Sequence, residues 1–94
     1  MANIMGQTGL VTSFDGKSIQ VNYDGSGLYL YIDGNLHTQQ KGAGAVFNSK
    51  KPAIQMDFPF SSGTKKLEVY YKMGLMKQKF KLFIDGQLVA GDNF

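Results

Sequence analysis

The chain reads as an all-β domain of about eight short antiparallel strands, arranged as a β-sandwich or a flattened barrel. Three observations predict this. Apolar and polar residues alternate with a period of two through most of the sequence, as in Ile19, Val21 and Tyr23 or Phe80, Leu82 and Ile84. Turn signals recur every 8–12 residues or so, several of them Asp-Gly pairs. No segment sustains a 3.6-residue period. One stretch also returns: LYLYIDGNL at 28–36 is echoed by FKLFIDGQL at 80–88. Leu30, Ile32, Asp33, Gly34 and Leu36 match Leu82, Ile84, Asp85, Gly86 and Leu88. Two pseudo-symmetric halves would produce this echo, and so would independent reuse of a common hairpin turn.

Taken in order, residues 1–6 are expected to be loose. Residues 8–14 form a first strand and 17–23 a second, joined by Asp15-Gly16. Asp-Gly between alternating runs is the signal for a type I′ turn, because both of its residues must take positive φ. Asp24-Gly25-Ser26-Gly27 makes the next turn. Strand 28–32 puts Leu28, Leu30 and Ile32 on one face and Tyr29 and Tyr31 on the other. One tyrosine is expected to be buried and the other exposed. Asp33-Gly34 then reverses the chain into 35–40.

Residues 41–52 are irregular and predict a crossover loop, with a short strand at 45–47. From Ile54 to Phe60 the alternation resumes, and Pro59 predicts that this run ends at a sheet edge or leaves the sheet. Ser61-Ser62-Gly63-Thr64 is a turn. Strand 65–73 directs Leu67, Val69, Tyr71 and Met73 inward, Gly74 permits a tight reversal, and 76–84 pairs back with Phe80, Leu82 and Ile84 inward. Asp85-Gly86 leads into a last strand at 87–90.

All of this fits one domain over 1–94. A chain this short buries roughly 60–65% of its unfolded surface. At 43% hydrophobic residues, it has enough apolar material to fold rather than remain disordered. There is no cysteine, which excludes disulfides and thiolate chemistry. The N-terminus lacks a signal-peptide pattern, and no apolar run approaches 18 residues. These features favour a cytoplasmic location and no membrane partner. The net charge of +3 comes from ten lysines with no arginine. Lysine lacks the guanidinium fork that reads phosphate or guanine with two bonds, so the charge points first to a solvated surface.

No catalytic constellation is evident. Asp15, Asp24, Asp33 and Asp85 each precede glycine, a pattern explained by tight turns. Their spacing suits neither a calcium loop nor a paired-carboxylate cleft. His37 is the only histidine, has no cysteine to share a metal with, and faces no serine in a nucleophile elbow. Gly42 and Gly44 lack the following Lys-Ser/Thr of a phosphate loop. The expectation is therefore no enzyme, no cofactor and no metal.

Two surfaces stand out. On the hairpin at 65–84, Lys66, Tyr70, Lys72, Lys79, Lys81 and Phe83 share the outward face. Lysines among aromatics can hold single-stranded nucleic acid, and lysines also keep an exposed hairpin from aggregating. Tyr29 and Tyr31 form the second surface, beside Lys81 and Phe83 if the halves pack side by side. Exposed tyrosines stack on sugars or anchor protein partners. The candidate binding residues are thus Tyr29, Tyr31, Tyr70, Lys72, Lys79, Lys81 and Phe83. A protein partner or self-association is the first expectation, carbohydrate the second and single-stranded nucleic acid the third.

Two family resemblances arise at these residues. YDGSGLYLYIDGNL, 23–36, resembles the hairpin of laminin-G-like, concanavalin-type sandwiches. More broadly, residues 17 to about 90 are similar in layout to the first domain of the Fas apoptotic inhibitory molecule family. The shared features are a strand, a Gly/Ser turn and a hydrophobic strand ending in Asp-Gly, then a middle stretch like VFNSKKPAIQMDF at 46–58 and a long hairpin closing at Phe80–Gly86. The resemblance implies a compact β-sandwich acting by protein contact, without catalysis.

Overall fold

A computed structural model describes residues 8–42, 49–73 and 78–92. The expected strand at 45–47, the Gly74 reversal and the N-terminal segment lie outside them. Within the described residues, eight antiparallel strands form two four-stranded meanders. In the first sheet, β1 (Thr8–Phe14), β2 (Lys17–Tyr23), β3 (Gly27–Ile32) and β4 (Asn35–Lys41) lie side by side in chain order. The second sheet repeats this with β5 (Ile54–Phe60), β6 (Gly63–Met73), β7 (Gln78–Ile84) and β8 (Gln87–Gly91). Among the described residues, no strand pairs out of sequence within either sheet.

Local chemistry accounts for the meanders. Asp15-Gly16, Asp33-Gly34 and Asp85-Gly86 each take positive φ at both residues, Asp33 at 52° and Gly34 at 83° for example, which is the type I′ geometry. Its twist matches that of the strands it joins, so each turn sets the register of its hairpin. Asp24 accepts from the Ser26 amide at 2.9 Å, a side-chain mimic of a backbone turn.

The sheets pack face to face over one core. Ile19, Val21, Leu28, Leu30 and Ile32 from the first meet Leu67, Val69, Tyr71, Leu82 and Ile84 from the second. β1 lies against β7 and β8, and β4 lies against β5, so the open edges meet in pairs. The shortest dimension is 22 Å, which fits two layers about 10 Å apart plus outer side chains.

The two halves are equivalent strand by strand. Ile19 pairs with Ile32 as Leu67 pairs with Ile84, and Tyr23 pairs with Leu28 as Tyr71 pairs with Phe80. The Ser18 amide donates to Asp33 Oδ1 at 2.9 Å, and the Lys66 amide donates to Asp85 Oδ1 at 2.8 Å. Lys17 reaches Asp33 at 3.4 Å and Lys65 reaches Asp85 at 3.7 Å. The register slips at the same place in both halves, between Leu30 and Tyr31 and between Leu82 and Phe83. The extra residues are His37 and Val89. Beyond each bulge, Leu36 and Leu88 turn to the outer face, where each is about half exposed at 50% and 51%.

Several expectations are corrected. Tyr29 and Tyr31 are both half-buried, rather than one buried and one exposed, because β3 is an interior strand whose neighbours flank both rings. Met73 is exposed, since it ends β6 beyond the opposing sheet's core, although Tyr71 Oη still reaches its sulfur at 3.9 Å. The turn near 61–64 contracts to Ser61-Ser62, with Gly63 and Thr64 already paired in β6. Pro59, by contrast, lies at a sheet edge as expected: β5 is the edge strand of its sheet and stays paired through Phe60.

Candidate functional site

The second sheet's outer face collects most of the predicted binding residues. β6 and β7 pair in register, so Tyr70 lies opposite Lys81, Lys72 opposite Lys79, and Glu68 opposite Phe83. Their alternation partners Leu67, Val69, Tyr71, Phe80, Leu82 and Ile84 fill the core, which forces these side chains outward. Tyr70 and Phe83 meet edge to face with centroids 5.4 Å apart. Lys81 Nζ sits 5.5 Å from the Tyr70 centroid and 5.7 Å from that of Phe83. Leu88, opposite Phe83, extends this apolar centre.

Charge is distributed unevenly over the same face. Toward its far end, Asp57 stands opposite Lys66, and Gln55 donates to Glu68 at 3.3 Å. Cations there have carboxylates across the strand or beside it. Toward the other end come Lys81, then Lys72 facing Lys79. Like charges directly opposite in a sheet are destabilising. Among the described residues, no carboxylate comes within ion-pair distance of Lys72 or Lys79.

Tyr29 and Tyr31 are elsewhere. The halves pack face to face, not side by side, so these rings lie on the outer face of the first sheet, across the core from Lys81 and Phe83. The seven candidate residues therefore form two surfaces on opposite sides of the molecule. The tyrosines' neighbours are Asn22 and Gln39 beside Tyr29, and Gln20 and Leu36 beside Tyr31.

His37 occupies the β4 bulge at the seam between the sheets. Its ring meets Phe58 edge to face at 5.2 Å. Asp15 crosses the opposite hairpin ends. It accepts from the Ser62 amide at 3.0 Å, the Ser62 hydroxyl at 3.0 Å and the Ser61 hydroxyl at 3.1 Å. The Ser62 bonds, then Ser61 and the Lys65 charge, hold its carboxyl below the ordinary value of 3.8. Sequence reasoning assigned Asp15 to its turn alone. No local pattern signals that its acceptor capacity serves a turn in the other half.

No group of three or more His, Cys, Asp or Glu residues among those described is arranged to hold a metal ion. Nor is any helix there long and apolar enough to cross a membrane. No protein-family model, curated protein or solved structure matches this chain.

Proposed function

We propose that this protein is a non-catalytic binding module that works by protein contact, using the outer face of β6 and β7. The observation that carries this reading is Lys72 facing Lys79 in register, beside the cluster of Tyr70, Phe83 and Leu88. An opposed lysine pair costs the free protein stability and is relieved by an anionic partner. Apolar contacts at the centre with charge at the margin are the anatomy of a protein interface. The partner is a protein segment that presents an apolar side chain flanked by carboxylates. The resemblance to the Fas apoptotic inhibitory molecule family carries the same implication of contact without catalysis.

Single-stranded nucleic acid is the alternative for this face. Protein is favoured because Leu88, opposite Phe83, adds an aliphatic contact to the rings that base stacking does not use. The chain also lacks arginine for bidentate phosphate or guanine contacts.

Backbone-amide NMR titrations distinguish the two. A glutamate- and leucine-rich peptide should shift Tyr70, Lys72, Lys79, Lys81 and Phe83, and the double variant Lys72→Glu/Lys79→Glu should abolish the response. Shifts with an oligothymidylate and none with the peptide would move the assignment to nucleic acid. Silence with both at low salt would remove this face as a binding site.

A further inference from the structure

The first sheet's outer face presents different chemistry. Strand register sets its side chains in two rows across the four strands: Gly9, Asn22, Tyr29 and Gln39, then Val11, Gln20, Tyr31 and Leu36. Neither row contains a charge, although the chain carries +3 overall. The second row is apolar at both ends. Val11 on edge strand β1 is 67% exposed and Leu36 on edge strand β4 is 50% exposed. Gln20 and Tyr31 lie half-buried between them.

We propose that this face docks on the same face of a second copy, about a twofold axis parallel to the strands. Such an axis reverses the order of strands, so β1 of one copy lies over β4 of the other. Val11 then meets the second copy's Leu36, twice by symmetry, and Tyr31 meets Gln20. In the other row, Gly9 lies beneath the second copy's long Gln39 side chain, and Tyr29 meets Asn22. Each row is thus complementary to its own reversal, which an isologous interface requires. Gln20 Nε2 donates to Asn22 Oδ1 at 3.1 Å, leaving the Gln20 oxygen and the Asn22 amide hydrogens for groups across the interface.

Charge selects a second copy as the occupant. Two molecules of +3 repel, and joining them through the second sheet would set Lys72, Lys79 and Lys81 against their own images. The first sheet's two rows bring no charged side chain to the contact. Neutral glycan also suits tyrosines among amides, but sugar hydroxyls leave the aliphatic ends, Val11 and Leu36, unsatisfied.

Sedimentation velocity over a concentration series tests this with the intact chain. The mass should rise from 10.4 kDa toward twice that value. Leu36→Lys and Val11→Lys should each weaken association by on the order of tenfold or more, with unchanged circular dichroism because both sites are exposed. The double variant Val11→Glu/Leu36→Lys should restore it, since the axis places each new carboxylate over a new ammonium of the other copy. The pair sits at opposite edges of one sheet and cannot bridge within a single chain. Lys72→Glu/Lys79→Glu should leave the dimer intact, which separates this surface from the protein-contact face. A constant monomer mass, single variants that still dimerise, or no rescue by the double variant would overturn the proposal. So would a neutral hexasaccharide that shifts Tyr29 and Tyr31 amides while the protein stays monomeric.

Discussion

At the scale of residues, carboxylates and phenols carry more than their turns and core positions require. Asp15 ties the β1–β2 tip to the β5–β6 tip through three bonds. Backbone and hydroxyl donors hold Asp15 and Asp24 below 3.8, and the Ser18 amide, then Lys17, does the same for Asp33. A carboxyl lowered by folding contributes stability above its unfolded value and loses it as the pH falls through the folded value. The thermal midpoint should therefore hold steady down to about pH 4 and decline below it. Asp15→Ala should lower the midpoint at neutral pH and flatten the acid limb, as circular dichroism melts would show. An unchanged melt would mean that the link between tips contributes nothing. Tyr71 gives the mirror-image case. Burial, then the neighbouring Tyr23, pushes its phenol up to about 12. From about pH 10 upward the unfolded chain loses this proton while the folded chain keeps it, so stability falls as pH rises. Tyr71→Phe should remove that alkaline slope, and an absorbance titration should lose the tyrosine that ionises near 12.

At the scale of elements, each strand's fate follows from its neighbours. The β6–β7 hairpin trades stability for a surface. Replacing Lys72 by Glu turns a repulsive cross-strand pair into an attractive one and should stabilise the fold by up to about 1 kcal/mol. The same change should weaken binding of the acidic peptide, so denaturant melts and titrations should move in opposite directions. A variant that lost stability would show that Lys72 and Lys79 do not repel. The last strand hangs on a close approach. A Cβ on Gly91 would collide with the Phe80 carbonyl, and Gly91 holds a φ of 113°. Asp92 then bonds back to Phe80, its amide donating at 2.6 Å and its carboxylate accepting at 3.1 Å. Gly91→Ala should cost more than about 1 kcal/mol, because the strain adds to the collision, and amide exchange should rise first in β8. The strands and turns were legible in the sequence because period-two alternation and Asp-Gly chemistry are local. The bulges at His37 and Val89 were not. In Asn35–Lys41 the apolar pattern is too weak to mark which residue drops out of register.

For the molecule as a whole, one shared core holds two equivalent meanders together. The equivalent residues Tyr23 and Tyr71 meet across it with centroids 4.9 Å apart, and Phe14 meets Phe60 at 5.1 Å. With about 5–10 kcal/mol of stability for a chain of this length, single core truncations consume much of the total. Leu82→Ala should cost about 2–5 kcal/mol, readable as a lower denaturant midpoint. A loss below 1 kcal/mol would mean that the sheets are not packed on that residue. Sandwich assembly also explains the separation of the candidate surfaces. Tyr70, Lys72, Lys79, Lys81 and Phe83 belong to one hairpin, so their shared face could be read from alternation alone. Whether Tyr29 and Tyr31 joined them depended on how the hairpins stacked.

Local chemistry along the sequence was enough for the strands, the Asp-Gly reversals, most of the inward faces and the echo between the halves. These follow from backbone preference and side-chain alternation, which act over a few residues. Tertiary structure alone decided that the sheets stack face to face, that Asp15 spans the two hairpin tips, and that tyrosines and lysines occupy opposite sides. Those outcomes depend on contacts between residues far apart in the chain. Each such contact is available only once both sheets have formed and buried their apolar faces against each other.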